Sequence, residues 1–390
     1  MDTLDLRTQI LKAYGAGPNE LEELLTYNQN LFDGRDGTVD TFAFPLADEP
    51  HIEVWQEYVE AAQEKGVFAV LTAALVQLRF PIRSGISTSE IYRQATRKGC
   101  FSTQSTPGLT LQEPDELALF IYPTLAGAIP VIVSSNRADF VSLLQAFTQR
   151  NEPVDIPHSM GACIIGGYNN WDRVKRYRRQ WESRHPHQCS EQDWLAAFSR
   201  LVPQKALYQD RFILLSHGAY SNVTAAQLGL DEDEWLRLSL IIRREHECIH
   251  YFTRRCFQSM RNHVLDELIA DYFGILAANG TYRADWFLQF VGLERFPAYR
   301  DSGRLHLYLG NPTLSEGAFE VLKALVKKAA ENLEQFDRTY LAHYRTASGR
   351  LATLLALVSL TIEELASDTG LALMQTAVEA QQTHLDLALS

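Results

Sequence analysis

His246 and His250 in the segment RREHECIHYF stand four residues apart. On a helix that spacing places two imidazoles on one face, a turn from each other, where both can aim at a single divalent ion. Glu247 follows the first histidine, so its carboxylate sits near the ion without having to bind it. A general base for water activated by the ion belongs at that position. Downstream, RNHVLDELIADYFG carries Glu267 and, one turn later on the same face, Asp271. Glu267 can be the third ligand, and Asp271 can accept the free ring N–H of a ligating histidine, fixing its tautomer and raising its basicity. Two histidines and one carboxylate leave coordination positions open, as a catalytic site requires and a structural site does not. HExxH arises by chance in roughly one chain in a hundred of this length, and an ExxxD on the next helix lowers that further.

The elements that must hold these residues can be read from the surrounding pattern. Asp231, Glu232, Asp233 and Glu234 put acids at a helix N-terminus, where the helix dipole favours them. Trp235, Leu236, Leu238, Ile241 and Ile242 supply buried contacts before the histidines, and from Asp231 onward almost everything reads as helix. The N-terminal part also looks mainly helical, with helices over Leu4 to Tyr14, Asn19 to Leu31, His51 to Lys65 and Val67 to Leu78. A Gly/Asp-rich loop spans Asp33 to Asp40, and Ser87-Thr88-Ser89-Glu90 should open a further helix ending near Gly99. From Glu116 the runs LALFIYPT and AIPVIVSS are β-like, Ala138 to Gln149 is helical, and RFILLS (Arg211 to Ser216) is a strand. Between them, PHSMGACIIGGYNNWDRV reads as a turn-rich stretch leading into a basic helix with Arg173, Lys175, Arg176, Arg178 and Arg179. The expected class is α+β with a helical majority: a mainly helical region 1–115, an α/β region 116–210, and a helical metal-binding region 211–390 below a small upstream sheet.

HECIH with ELIAD resembles the HExxH…ExxxD pattern of gluzincin-type zincin metallopeptidases, over about 26 residues from His246 to Asp271. The resemblance implies a zincin-like two-helix core in which His246, His250 and Glu267 bind Zn²⁺, Glu247 activates water, and Asp271 supports a ligand from behind. It also implies that RFILLS and the following HGAYSN occupy the place of an edge strand pairing with an extended peptide. Such a site needs a donor for the developing oxyanion, for which Tyr220, His263, Arg304, His306 and Tyr308 are candidates. His263 is in addition a rival third ligand, although it falls in the turn before the second helix.

Composition narrows the classes of function. A formal net charge of -12 favours solubility and argues against a general nucleic-acid or anionic-membrane binder. Five scattered cysteines read as reduced thiols, and the acidic N-terminus does not suit a signal peptide, so the cytoplasm is the expected location. The most apolar stretch, Leu117 to Val133, contains Pro123, Gly127 and Pro130 and reads as two buried strands and not a membrane span. His185, His187 and Cys189 form a compact donor cluster without a fourth ligand nearby, for which a solvated loop is the favoured reading. The basic helix suggests either a solvated face offset by nearby acids or a dock for an acidic peptide or phosphate. GACIIGGYNNWD matches no nucleotide-binding pattern, and no serine or cysteine sits in a nucleophile motif.

Three functions compete at this level. The first is a zinc hydrolase, most simply a metallopeptidase acting on a peptide or protein. The second is a non-haem Fe²⁺ oxygenase that uses 2-oxoglutarate and the same His246/His250/Glu267 triad to modify a peptide. The third is a non-catalytic binding protein that keeps a zincin-like core. Substrate identity and oligomeric state are not encoded in any motif.

Overall fold

Helices dominate because apolar residues recur at helical spacing over most of the chain. A computed structural model describes residues 3–32, 43–100, 107–187, 190–344 and 346–388. It is 62% helical with one small four-stranded sheet, the helix-rich α+β class expected. Two units emerge: Phe44–Gly218, and a second unit joining Met1–Ala43 to Ala219–Ser390. The three regions read from composition do not coincide with these two. The first helices belong with the C-terminal ones, and the later boundary falls just after residue 218.

In the helical unit, α1 (Thr3–Ala13) and α2 (Pro18–Tyr27) join the C-terminal helices through a buried ion pair. Arg7 Nη2 lies 3.1 Å from Glu363 Oε1, and Asn28 Nδ2 donates to the same oxygen at 3.1 Å. A carboxylate this buried needs such partners.

The sheet unit starts with α3 (Ile52–Lys65), α4 (Val67–Ala74) and α5 (Glu90–Lys98). Ser89 caps α5 by accepting from the Tyr92 N–H, and Gly99 closes it in the left-handed region at φ 63°. The apolar Leu117–Val133 stretch becomes β1 (Ala118–Tyr122) and β2 (Ile129–Ser134), two antiparallel strands. Then follow α6 (Arg137–Thr148), β3 (Ala162–Asn169), α7 (Trp171–Arg184), α8 (Glu191–Leu201) and β4 (Gln209–Ser216). The strand order is β1-β2-β4-β3, with β2 and β4 parallel and β3 antiparallel to β4. Trp55, Phe140, Leu143, Phe212 and Leu214 lie in its core.

Two sequence expectations change here. β3 forms within the stretch read as turn-rich, because ACIIGGYN pairs along β4 despite its glycines, with a bulge between Gly166 and Tyr168. And β4 is not an edge strand: β2 and β3 flank it on both sides, so its backbone offers no free edge for a peptide. Its near-continuous apolar run is the pattern of an interior strand.

The basic helix resolves into local pairing. Arg173, on α7, is buried with Nη1 2.6 Å from Asp210 Oδ1, while Trp55 and Asn170 donate to the other Asp210 oxygen at 2.8 and 2.6 Å. Arg176 pairs with Asp172 and Glu57, and Arg178 with Glu182 and Glu191. These three cations are thus committed within the unit.

In the helical unit, a one-turn α9 (Ala225–Leu228) precedes the two long helices α10 (Glu232–Phe257) and α11 (Val264–Asn279). Asp231 caps α10, its carboxylate accepting from the N–H groups of Asp233 and Glu234. Beyond them come α12 (Ala284–Val291), α13 (Glu316–Tyr344), α14 (Ala347–Ser359), α15 (Ile362–Ala366) and α16 (Gly370–Ala388). Residues 351–358 of α14 are all buried, as suits a helix apolar on every side. No helix among the described residues is long and apolar enough to cross a membrane.

The approach of α10 and α11 depends on Gly274. A Cβ there would stand 2.9 Å from the Ile242 carbonyl oxygen and 3.1 Å from its Cγ2, too close to fit without moving a backbone. Ile242 lies one turn before His246 and Gly274 nearly one turn after Asp271, so this contact sets the helix separation at the histidines. Gly274→Ala is expected to destabilise the protein by about 1–3 kcal/mol, the usual cost of overpacking, as read by denaturant unfolding.

Candidate metal centre

α10 presents His246 and His250 to α11, and the three proposed donor atoms converge. His246 Nε2 and His250 Nε2 are 3.0 Å apart, and each is 3.6 Å from an oxygen of Glu267. Ligand atoms about 2.1 Å from one ion at tetrahedral angles stand about 3.4 Å from each other, so these spacings suit a common ion. His246, His250 and Glu267 form the one group of this kind found among the described residues. The donor set, two buried imidazoles and a half-buried carboxylate, fits a divalent cation.

Behind His246 the support is dense. Its Nδ1 lies 2.8 Å from Asp271 Oδ1, which also accepts the Tyr220 hydroxyl at 2.5 Å. Arg304 donates to the other Asp271 oxygen, and its Nη1 is 3.3 Å from the Tyr220 oxygen. With Asp271 accepting at Nδ1, His246 keeps its Nε2 lone pair for an ion. Asp271 is fully buried; burial alone would raise its pKa, but the Arg304 guanidinium and His246 hold it below the usual carboxylate range. The Tyr220 backbone N–H donates to Ser239 Oγ on α10 at 3.0 Å. Arg243 is buried beside it, donating to the Ala219 carbonyl at 2.8 Å with its guanidinium 5.6 Å from the Tyr220 ring centre. This arginine therefore buttresses the wall of the site.

The donors themselves have shifted protonation. Burial would lower the His250 pKa, but the Glu267 carboxylate outweighs it and lifts the imidazole to about 9. Glu267 is held low in turn, burial being overcome by the two histidines and Arg304. Glu247 is half-buried, and burial pushes its carboxyl up against the pull of both histidines. A carboxyl raised in this way is better matched to proton transfer near neutral pH.

Of the five candidate oxyanion donors, Tyr220, Arg304 and Tyr308 belong to the centre. Tyr220 and Arg304 are engaged with Asp271, and the Tyr308 hydroxyl donates to Glu267 Oε2 at 2.8 Å. His306 and His263 stand apart. His306 is exposed, with Nδ1 2.6 Å from the Gly303 carbonyl oxygen. His263 precedes α11 and stacks on Tyr27 at 4.3 Å between ring centres, so it does not join the ligands. In the RHPHQC segment, His185 Nδ1 lies 2.8 Å from the Trp181 carbonyl oxygen, and Cys189 lies outside the described residues, as does the Asp33–Asp40 loop. Sequence reasoning missed Asp266, whose Oδ2 is 3.8 Å from His250 Nδ1; its position directly before Glu267 was the available signal.

The fold and site thus define a helix-rich α+β protein with a His/His/Glu cluster that could hold a metal ion. The chain belongs to the family of unknown function DUF7005, whose match covers residues 9–369. No curated protein and no solved structure matches it.

Proposed function

We propose that α10 and α11 form a zincin-like metal core and that the protein is a zinc-dependent hydrolase, most simply a peptidase acting on a peptide or protein. The observation that carries this reading is the convergence of His246 Nε2, His250 Nε2 and the Glu267 carboxylate, with Glu247 beside them and His246 fixed from behind by Asp271. A zinc ion held there would polarise the scissile carbonyl and make its water acidic enough to lose a proton near neutral pH. Glu247 takes that proton as the oxygen adds to the carbonyl carbon, then delivers it to the leaving nitrogen as the C–N bond breaks. An ion held by His250 would displace the proton that Glu267 otherwise favours on that imidazole. Tyr308, bonded to Glu267, is the hydroxyl best placed to turn toward a developing oxyanion.

The Fe²⁺/2-oxoglutarate alternative uses the same three ligands, but it needs a cation to anchor the cosubstrate carboxylate. Arg304, the arginine that reaches Glu267, is committed to Asp271, which weakens that reading. Turnover of a peptide mixture by zinc-loaded protein, with Glu247→Gln alongside, tests the proposal. New amino termini formed by the wild type alone support it. Oxygen uptake dependent on 2-oxoglutarate by iron-loaded protein would replace it, and a metal-bound protein inactive in both assays would leave a binding role.

A further inference from the structure

A histidine that binds an ion through one nitrogen presents its other N–H to an acceptor, which fixes the ring and strengthens the ligand. For His246 that acceptor is Asp271, at 2.8 Å. His250 directs Nε2 toward the shared donor position, so Nδ1 is its outward nitrogen. That Nδ1 is buried and has no hydrogen-bond partner. The nearest carboxylate across from it is Asp266, itself buried, whose Oδ2 stands 3.8 Å away. The other Asp266 oxygen accepts the Asn262 N–H at 2.8 Å and so closes the turn between α10 and α11. One carboxylate oxygen is spent on the turn, and the second faces an unpartnered nitrogen just beyond hydrogen-bond reach.

We propose that Asp266 is the positioning residue for His250: when a divalent ion occupies Nε2, the gap closes and Asp266 accepts the Nδ1–H. This rests on the metal-centre reading. The first turns of α11 then supply three carboxylates in sequence, Asp266 behind His250, Glu267 to the ion, and Asp271 behind His246. Each imidazole has its own acceptor on the neighbouring helix, and the turn that Asp266 closes is anchored by the Asn262 Nδ2 bond to Asn30 Oδ1 at 2.8 Å.

Zinc affinity, measured by competition with a chromophoric chelator, tests the assignment on the full-length protein. Asp266→Ala is expected to weaken zinc binding roughly 10–100-fold, the usual cost of losing such a partner, and Asp266→Asn, which keeps an acceptor oxygen, less. Asn30→Ala loosens the same turn without touching Asp266; it should lower the melting temperature yet change zinc affinity less than about threefold. In long-range ¹H–¹⁵N spectra, zinc should bring out a protected His250 Nδ1–H in the wild type that is lost in Asp266→Ala. Zinc affinity unchanged in Asp266→Ala would overturn the proposal. So would a loss in Asn30→Ala as large as that in Asp266→Ala, since Asp266 would then act only through the turn. A wild type without zinc affinity would instead overturn the metal centre itself.

Discussion

In the proposed zinc hydrolase, replacing Glu247 by glutamine is expected to lower peptide hydrolysis by roughly 10²–10⁴-fold while leaving zinc binding in place. The side chains are nearly isosteric, and Glu247 is not among the converging donors, so His246, His250 and Glu267 keep their geometry. What disappears is a carboxylate able to take a proton from water and return it to the leaving amine. Since burial already pushes the Glu247 carboxyl up, the wild-type group is a stronger base than an exposed glutamate, and its loss should fall on kcat and not on KM. Metal content and the rate must therefore separate in this variant. If glutamine at this position leaves turnover of zinc-loaded protein intact, Glu247 is not the base.

The second large effect concerns Asp271. Asp271→Ala removes at once the acceptor for His246 Nδ1, the acceptor for Tyr220, and the partner of Arg304. The guanidinium left behind is only 11% exposed and would keep only the longer contact to Glu267, 3.7 Å from its Nη1. Breaking one side of a buried pair in this way costs about 3–5 kcal/mol, and losing the orienting bond to His246 should weaken metal binding by a further roughly 10–100-fold. Both losses are measurable, the first by chemical unfolding of the metal-free protein and the second by zinc competition. Retained stability would mean that Arg304 finds another partner, and the described network would be wrong about what neutralises it.

Much of the site was legible because helical periodicity and chemical type coincide there. The four-residue spacing of His246 and His250, and the same spacing of Glu267 and Asp271, survive as faces of α10 and α11 because a helix converts spacing directly into direction. Asp271 reaching His246 follows from the same rule. Asp266 escaped notice because the side on which His250 turns its Nδ1 is set by how α10 packs on α11, which spacing along one helix does not encode. His263 looked like a rival ligand by type, but only the turn geometry shows that its ring lies against Tyr27.

The fold was readable at the level of elements and less so at the level of partners. Ser89, Gly99 and Asp231 marked helix ends correctly because capping is a local interaction. β3 was hidden because its glycines remove the side chains that signal a strand, while its pairing with β4 is a non-local fact. For the same reason, nothing near Arg7 announces that its partner is Glu363, the contact that ties the first helices to the last. Strand order likewise depends on pairing across distance, and so the expected edge position of RFILLS failed although a strand does form there, beginning at Gln209 and not at Arg211.

If His246, His250 and Glu267 hold one divalent ion, elemental analysis of protein purified without added metal will find it, and Glu267→Ala and His250→Ala will lose it. One zinc per chain in the wild type, with little in either variant, is the predicted result. A wild type that takes up no metal even after reconstitution would contradict the claim, and stoichiometric iron with oxygen-dependent turnover would contradict the hydrolase built on it.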